Sequence, residues 1–219
     1  MTERSVERFK VGLTGGIACG KTSACKVFAE LQIPIVDADV ISRELTSPGS
    51  PLLETIAAEF GAEVIAADGS FNRKAMRNLA FSDSSALMRL NAIMHPAIHA
   101  ELKRQALNKE PAAPYVVLAI PLLFEHHLEK LTDRILVLDC SEDLQLARIM
   151  QRDGSSEEVA RSIMSNQVSR LYRRQHADDL IDTQSGSLEY LKQEIGKLHQ
   201  IYLQCAAQKA GTAIQPEYK

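Results

Sequence analysis

Eight consecutive residues carry the densest chemistry in this chain: Gly15-Gly16-Ile17-Ala18-Cys19-Gly20-Lys21-Thr22. A glycine, four residues, a second glycine, a lysine and a hydroxyl side chain is the spacing of a phosphate-binding loop. Glycines let the backbone curl and approach an oxyanion with no side chain in the way. The N–H groups of the loop form a nest for phosphate oxygens, backed by the positive end of the helix that follows. Lys21 places a mobile charge near the β- and γ-phosphates, and the Thr22 hydroxyl is the expected ligand of Mg²⁺. The expected nucleotide-binding segment therefore runs from Gly15 to Ser23. Cys19 sits in this nest beside Lys21 and a helix N-terminus, both of which favour a thiolate. It is expected to be the most readily alkylated cysteine, shielded by bound Mg·ATP.

Two further groups suit the same chemistry. Asp37-Ala38-Asp39 ends an apolar stretch, and ligands of open α/β sheets bind outside the carboxyl ends of the strands. Asp39 could be the base at an attacking hydroxyl, with Asp37 ranked second beside a Mg²⁺-bound water. Asp39 could equally cap a short helix over 40–45, and the residues alone leave the two readings open. Arg148 and Arg152 are four apart and share a helix face. Past Asp153-Gly154-Ser155, Arg161, Arg170, Arg173 and Arg174 follow on a helix expected over 156–174. Arginine-bearing helices about a glycine hinge suit a lid, here 141–176, that closes on phosphates. A charged surface hairpin explains the arginines as well. His95 and His99 are four apart, but no third ligand or HExxH pattern accompanies them, so a metal site is not supported.

The elements that must position these groups are legible from periodicity. Apolar strands are expected over 9–14, 32–37, 114–120, 134–139 and 179–182, with amphipathic helices over 21–31 and 142–151. Strands alternating with helices predict an α/β fold on a parallel sheet. The loop 47–51 interrupts that pattern, and the stretch to Asn108 reads as helices over 52–60, 73–80, 84–94 and 96–107. Asn72 is the expected cap of the second of these, and Pro96 the first residue of the last, with His95 its cap. Residues 48–110 are thus expected to be a helical insertion covering the ligand edge of the sheet. Arg73, Lys74, Arg77 and Arg89 make it basic, which suits an anionic acceptor, although a solvated helix face explains such charges equally. Leu188, Leu191, Ile195, Leu198, Tyr202 and Cys205 mark a core-packed closing helix.

Composition removes several function classes. The 219 residues carry 25 basic and 28 acidic side chains, net charge −3, with no basic excess for nucleic acid or a membrane surface. Thr2-Glu3-Arg4 shows no apolar signal segment, and the longest apolar run, 116–124, is too short to span a bilayer. The four cysteines show no CxxC pair and read as reduced thiols of a cytoplasmic protein. The strand ending at Ile120 leads into Pro121-Leu122-Leu123-Phe124-Glu125, with neither Asp-x-x-Gly nor Asn-Lys-x-Asp, which argues against a GTPase switch.

The pieces in order resemble the dephospho-coenzyme A kinases along nearly the whole chain. The resemblance rests on Leu13-Thr14-Gly15-Gly16-Ile17, Asp37-Ala38-Asp39, Leu90-Asn91 through His95-Pro96, and Pro121-Leu122-Leu123 with Glu125. Gln151-Arg152-Asp153, Ala177-Asp178, Ile181-Asp182 and Gly186 complete it. It implies a three-layer P-loop kinase core with a helical substrate subdomain and a lid. It also implies transfer of the ATP γ-phosphoryl group to the ribose 3′-hydroxyl of dephospho-coenzyme A. Asp39 would be the base, Lys21 and Arg148 would act on the phosphates, and Asp37, Arg43, Arg77, His95 and Leu122 would form the acceptor side. Ala18 and Cys19 stand where the family has Gly and Ser, and Ala18 is expected at negative φ. Thr183 stands where Asn follows the aspartate, which bears on any adenine contact through that side chain. A nucleoside or nucleoside-monophosphate kinase of the same architecture is the nearest alternative, and an ATP-binding regulator the next.

Overall fold

Val11 and Leu13 alternate with Gly12 and Thr14 in a run buried along nearly its full length, and it forms strand β1, Phe9–Gly15. The computed structural model describes residues 8–83 and 85–212. Thr2-Glu3-Arg4 and Ser84, the expected start of a helix, lie outside the described residues. Beyond β1 the order is α1 (Lys21–Glu30), β2 (Ile35–Asp37), α2 (Ala38–Leu45), α3 (Pro51–Phe60), α4 (Arg73–Ser82) and α5 (Ala86–Asn108). Then come β3 (Tyr115–Ala119), β4 (Arg134–Asp139), α6 (Glu142–Asp153), α7 (Glu157–Ser165), α8 (Arg170–Gln175), β5 (Asp179–Asp182) and α9 (Leu188–Thr212).

The strands form one sheet in the order β2-β3-β1-β4-β5. β1 is central and pairs in parallel with β3, Val11 opposite Val117, and with β4, Leu13 opposite Leu136. β4 pairs in parallel with β5. Strands covered on both faces read as continuous apolar runs rather than alternating ones. Leu13, Phe28, Tyr115, Leu136, Leu138, Ile195 and Tyr202 are accordingly closed off from solvent in one cluster. Burying each such side chain contributes about 1.5–3 kcal/mol relative to exposure. The polar tip of Tyr202 is not stranded, because its hydroxyl donates to Asp179 Oδ2 at 2.9 Å. Arg134 reaches the same carboxylate through two bonds of 2.6 and 2.9 Å.

The chain divides into two compact units. One comprises residues up to Val36 together with Ala106 onwards, and the other is Asp37–Gln105. The helical segment expected over 48–110 thus begins earlier, at Asp37, and takes in α2. Its own core is Leu53, Ile56, Phe60, Val64, Phe71, Met76 and Ala86.

Four local expectations differ from the structure. Pro96 lies inside α5, so 84–94 and 96–107 are one helix and His95 is an interior residue, not a cap. Proline forfeits one ladder bond, but Leu90, Ile93 and Met94 pack against the helical core and hold this stretch in helix. The helix expected over 156–174 is two. Ser156 caps α7 and Ser169 Oγ accepts from Tyr172 N–H to start α8, so a second capping serine restarts the chain. In α2 the cap is Asp37, whose Oδ1 accepts from Asp39 N–H at 2.8 Å and Val40 N–H at 3.3 Å; Asp39 is a first-turn residue. Leu188, counted in the closing stripe, is 53% exposed. Asn72 does cap α4, accepting from Ala75 N–H. No helix among the described residues is long and apolar enough to cross a membrane.

Candidate active site

The phosphate loop leaves β1 at Gly15, where a Cβ would sit 2.5 Å from the Leu138 carbonyl oxygen, so only glycine lets β1 run this close to β4. The turn closes with Cys19 N–H donating to Gly16 O at 3.1 Å. Gly20, at φ 93°, opens α1, and Ala24 N–H reaches back to Gly20 O at 3.1 Å. The opening N–H groups of α1 precede that ladder and aim their donors out of the helix, as an anion requires. Thr22 and Ser23 are exposed here, and Lys21 is half-buried.

Ala18 corrects the sequence expectation, since its φ is +63° rather than negative. The nest needs the left-handed turn, and the loop imposes it on alanine at about 1–2 kcal/mol. Cys19 corrects a second one. It is 2% exposed, and its Sγ lies 3.1 Å from Cys140 Sγ. The bond to Cys140 and burial push the Cys19 thiol up, not down. Of this pair Cys140 is the more acidic member, because the Cys19 thiol bonds to its sulfur and the Arg148 guanidinium lies nearby.

Arg148 of α6 ties the loop to the end of β5. It donates to Ala18 O and Thr183 O, both at 3.1 Å. The Thr183 hydroxyl lies 3.0 Å from Cys19 O and 3.1 Å from Asp139 O, so it serves the loop backbone. Ala18, Cys19, Gly20, Ser23, Arg148, Thr183, Gly186, Ser187, Leu188 and Leu191 line a cavity of about 250 Å³. One wall is loop backbone, another a cation, and a third two leucines, a lining suited to the base and sugar of a nucleotide.

The arginines after α6 are held by protein groups. Arg170 makes two bonds to Asp139, of 2.9 and 2.7 Å, and Arg174 reaches the same carboxylate. Asp139 is 2% exposed, and despite burial the two guanidiniums hold its carboxyl below the usual carboxylate range. Arg173 is buried and donates to Val168 O at 2.5 Å. Arg161 pairs with Glu157 on the surface, and Arg152 pairs with the adjacent Asp153 at 2.7 and 2.8 Å. Arg152 is therefore engaged with its neighbour and not with the loop.

Three contacts escaped the sequence reading. Ile17 N–H donates to Gln167 Oε1 at 2.7 Å. Gln145 Nε2 lies 3.3 Å from Cys19 Sγ, and a Cβ on Gly16 would sit 2.5 Å from it. Glu125 Oε1 accepts from Val168 N–H at 2.9 Å. Gln145 lies one turn before Arg148 on α6, a spacing that marks a shared face. Nothing local marked Gln167.

The acceptor-side candidates belong largely to the helical unit. Asp39 and Arg43 are exposed on α2, and Arg77 is exposed on α4. Asp37 is half-buried and occupied as the α2 cap. His95 is half-buried and stacks on His99, their ring centroids 5.9 Å apart, and desolvation lowers the pKa of both. Leu122 is half-buried in the segment after β3. No group of three potential metal ligands occurs among the described residues. A lone threonine hydroxyl suits a Mg²⁺ ion held mainly by phosphate oxygens and water.

The dephospho-CoA kinase family model matches residues 9–189. A dephospho-CoA kinase of Aeromonas hydrophila is 44% identical over 202 residues, which is 92% of this chain and 98% of that protein. A crystal structure of TT1252 from Thermus thermophilus superposes with a TM-score of 0.74 at 26% identity, over 89% of this chain and 97% of that one. The dephospho-CoA kinase of Campylobacter jejuni gives 0.67 at 27%, over 87% and 95%. The matched span holds the phosphate loop, Arg148 and the whole sheet, and at this identity and coverage the chain belongs to the dephospho-CoA kinase family.

Proposed function

We propose that this chain transfers the γ-phosphoryl group of ATP to the ribose 3′-hydroxyl of dephospho-coenzyme A, giving coenzyme A and ADP. The observation that carries the reading is the built nucleotide side. A glycine loop of phosphate-binding geometry opens α1, and Arg148 braces it beside a cavity of about 250 Å³ walled by loop backbone and two leucines.

In the proposed division of labour, the loop N–H groups hold the β- and γ-phosphates. Lys21 neutralises charge that spreads over the transferring oxygens. Arg148 shields the nucleotide side and fixes the Ala18 carbonyl away from the phosphates. Thr22 would hold Mg²⁺ through its hydroxyl, and the ion would supply charge neutralisation on the phosphate oxygens. Asp39 accepts the 3′-hydroxyl proton as the oxygen attacks γ-phosphorus and the bond to the bridging oxygen breaks, releasing ADP. Because Asp37 caps α2, the carboxylate of Asp39 is not spent on the backbone. Arg43 and Arg77 supply positive charge for the phosphates of the acceptor, and His95 and Leu122 are further acceptor-side residues.

ADP release should be measured with dephospho-coenzyme A, with nucleoside monophosphates and without acceptor. The product should be characterised by phosphorus NMR. Fast release with dephospho-coenzyme A alone, with a new 3′-phosphomonoester signal, is expected. Preference for a nucleoside monophosphate, or equal release without acceptor, would overturn the reading.

A further inference from the structure

Cys19 and Cys140 stand apart from the other cysteines. Their sulfurs are 3.1 Å apart, one in the phosphate loop and the other directly after β4, and both are closed off from solvent. Cys25 and Cys205 are half-buried and packed at the edge of the core. The pair is surrounded by groups that suit a thiolate sharing a proton with a thiol. Arg148 Nη1 lies 3.8 Å from Cys140 Sγ, and Gln145 Nε2 lies 3.3 Å from Cys19 Sγ. Cys19 and Arg148 also line the 250 Å³ cavity, so the pair lies directly behind its wall.

We infer that Cys19 and Cys140 form a reversible oxidation site that closes to a disulfide and switches off the phosphate loop. The oxidant class is a hydroperoxide, small enough for the cavity. The thiolate attacks the peroxide oxygen, the O–O bond breaks, and an alcohol (or water from hydrogen peroxide) leaves with a proton, giving a sulfenic acid. The neighbouring sulfur then attacks the sulfenic sulfur, its proton passes to the departing hydroxyl, and water leaves. Two thiols and one hydroperoxide thus become one disulfide, one alcohol and one water, a two-electron oxidation. A dithiol reverses it by exchange through a mixed disulfide.

Closing the bond draws the sulfurs from 3.1 Å to about 2.0 Å. Cys19 is flanked by Ala18, whose carbonyl receives Arg148, and by Gly20, which opens α1. Displacement of the loop by about 1 Å can cost a hundredfold in rate when it misplaces reacting groups. The loss of activity rests on the kinase reading above; the formation of the bond does not.

The test treats the full-length protein with a small excess of hydrogen peroxide, with and without Mg·ATP. It follows the Cys19–Cys140 peptide by non-reducing mass mapping alongside ADP release. The linked peptide should appear, lighter by two hydrogens. Turnover should fall on the order of tenfold or more, and dithiothreitol should restore both. Mg·ATP in the cavity should slow the linkage. Cys140→Val should keep its turnover under peroxide, and Cys140→Ala serves the same purpose if valine does not fold. Failure of the linked peptide to form, oxidation confined to Cys25 and Cys205, or a linked protein with full turnover would each overturn the inference. A linked peptide in a chain that releases no ADP with any acceptor would keep the oxidation site and discard the kinase reading.

Discussion

The two compact units hold their functional groups in opposite ways. Around the phosphate loop nearly every group is tied to another. Ile17 N–H is on Gln167, Arg148 is on two carbonyls, Asp139 carries two arginines, and Thr183 bonds the loop backbone. In the helical unit, Asp39, Arg43 and Arg77 are exposed, and Asp37 is the member engaged, by its own helix. Fixed dipoles aimed at developing charge are what a phosphoryl-transfer site needs in place beforehand. Exposed groups contribute little to folding, so they are open to change without loss of stability. Substitutions around the loop should therefore move stability and activity together, whereas those at the exposed residues proposed for the acceptor side should move activity alone.

The largest expected effect tests the chemistry of the loop. Lys21→Ala should fold and lose turnover by a few hundredfold or more, as expected for one electrostatic stabiliser of the transferred group. Normal turnover in the folded variant would remove the phosphate-loop assignment.

Arg148→Ala probes the coupling of structure and function. Losing charged donors to two carbonyls should cost about 1–3 kcal/mol of stability. Turnover at saturating substrates should fall on the order of tenfold, more than KM for ATP rises. A variant of wild-type stability and turnover would place Arg148 among the solvated surface charges.

Smaller again is a labelling contrast. Native-state alkylation should reach Cys25 and Cys205 before Cys19 or Cys140, since both loop-side thiols are buried and the Cys19 thiol is pushed up. Peptide mapping that found Cys19 labelled first would contradict the closed geometry of the pair.

The smallest effect belongs to Ala18. Relief of a left-handed alanine, about 1–2 kcal/mol, is partly offset by the backbone entropy of glycine, about 0.5–1 kcal/mol. Ala18→Gly should then raise Tm by about 1–2 °C. A lower Tm would mean that the loop is not strained at this position.

What the residues made legible follows from which interactions are local. The loop motif, the apolar strands and the Asn72 cap depend on neighbours within a few positions and stand in the structure, except that the strand expected over 32–37 is confined to Ile35–Asp37 after a turn at Gln32. Pro96 misled because the tertiary core that takes in Leu90, Ile93 and Met94, just before it, outweighs one lost bond. Ser169 was readable in principle, as a capping serine four residues after Ser165, but the arginine pattern ran across it. The cap reading open for Asp39 falls to Asp37 instead, because a one- or two-residue shift of a helix start is beyond periodicity. Cys19 misled for a different reason. Its local setting, a nest beside a lysine, favours a thiolate, whereas its partner Cys140 is 121 positions away. The Gln167, Asp139 and Glu125 contacts are likewise long-range, and no local pattern announces them.

Asp39 gives the most direct test. With Asp37 as the helix cap, Asp39→Asn removes a charge and a proton acceptor while leaving the cap and the shape in place. Turnover with dephospho-coenzyme A and Tm should be measured on the same preparation. The account predicts an unchanged Tm within about 1 °C and turnover lower by roughly a hundredfold or more, the scale of a lost general base. Wild-type turnover in Asp39→Asn would contradict it.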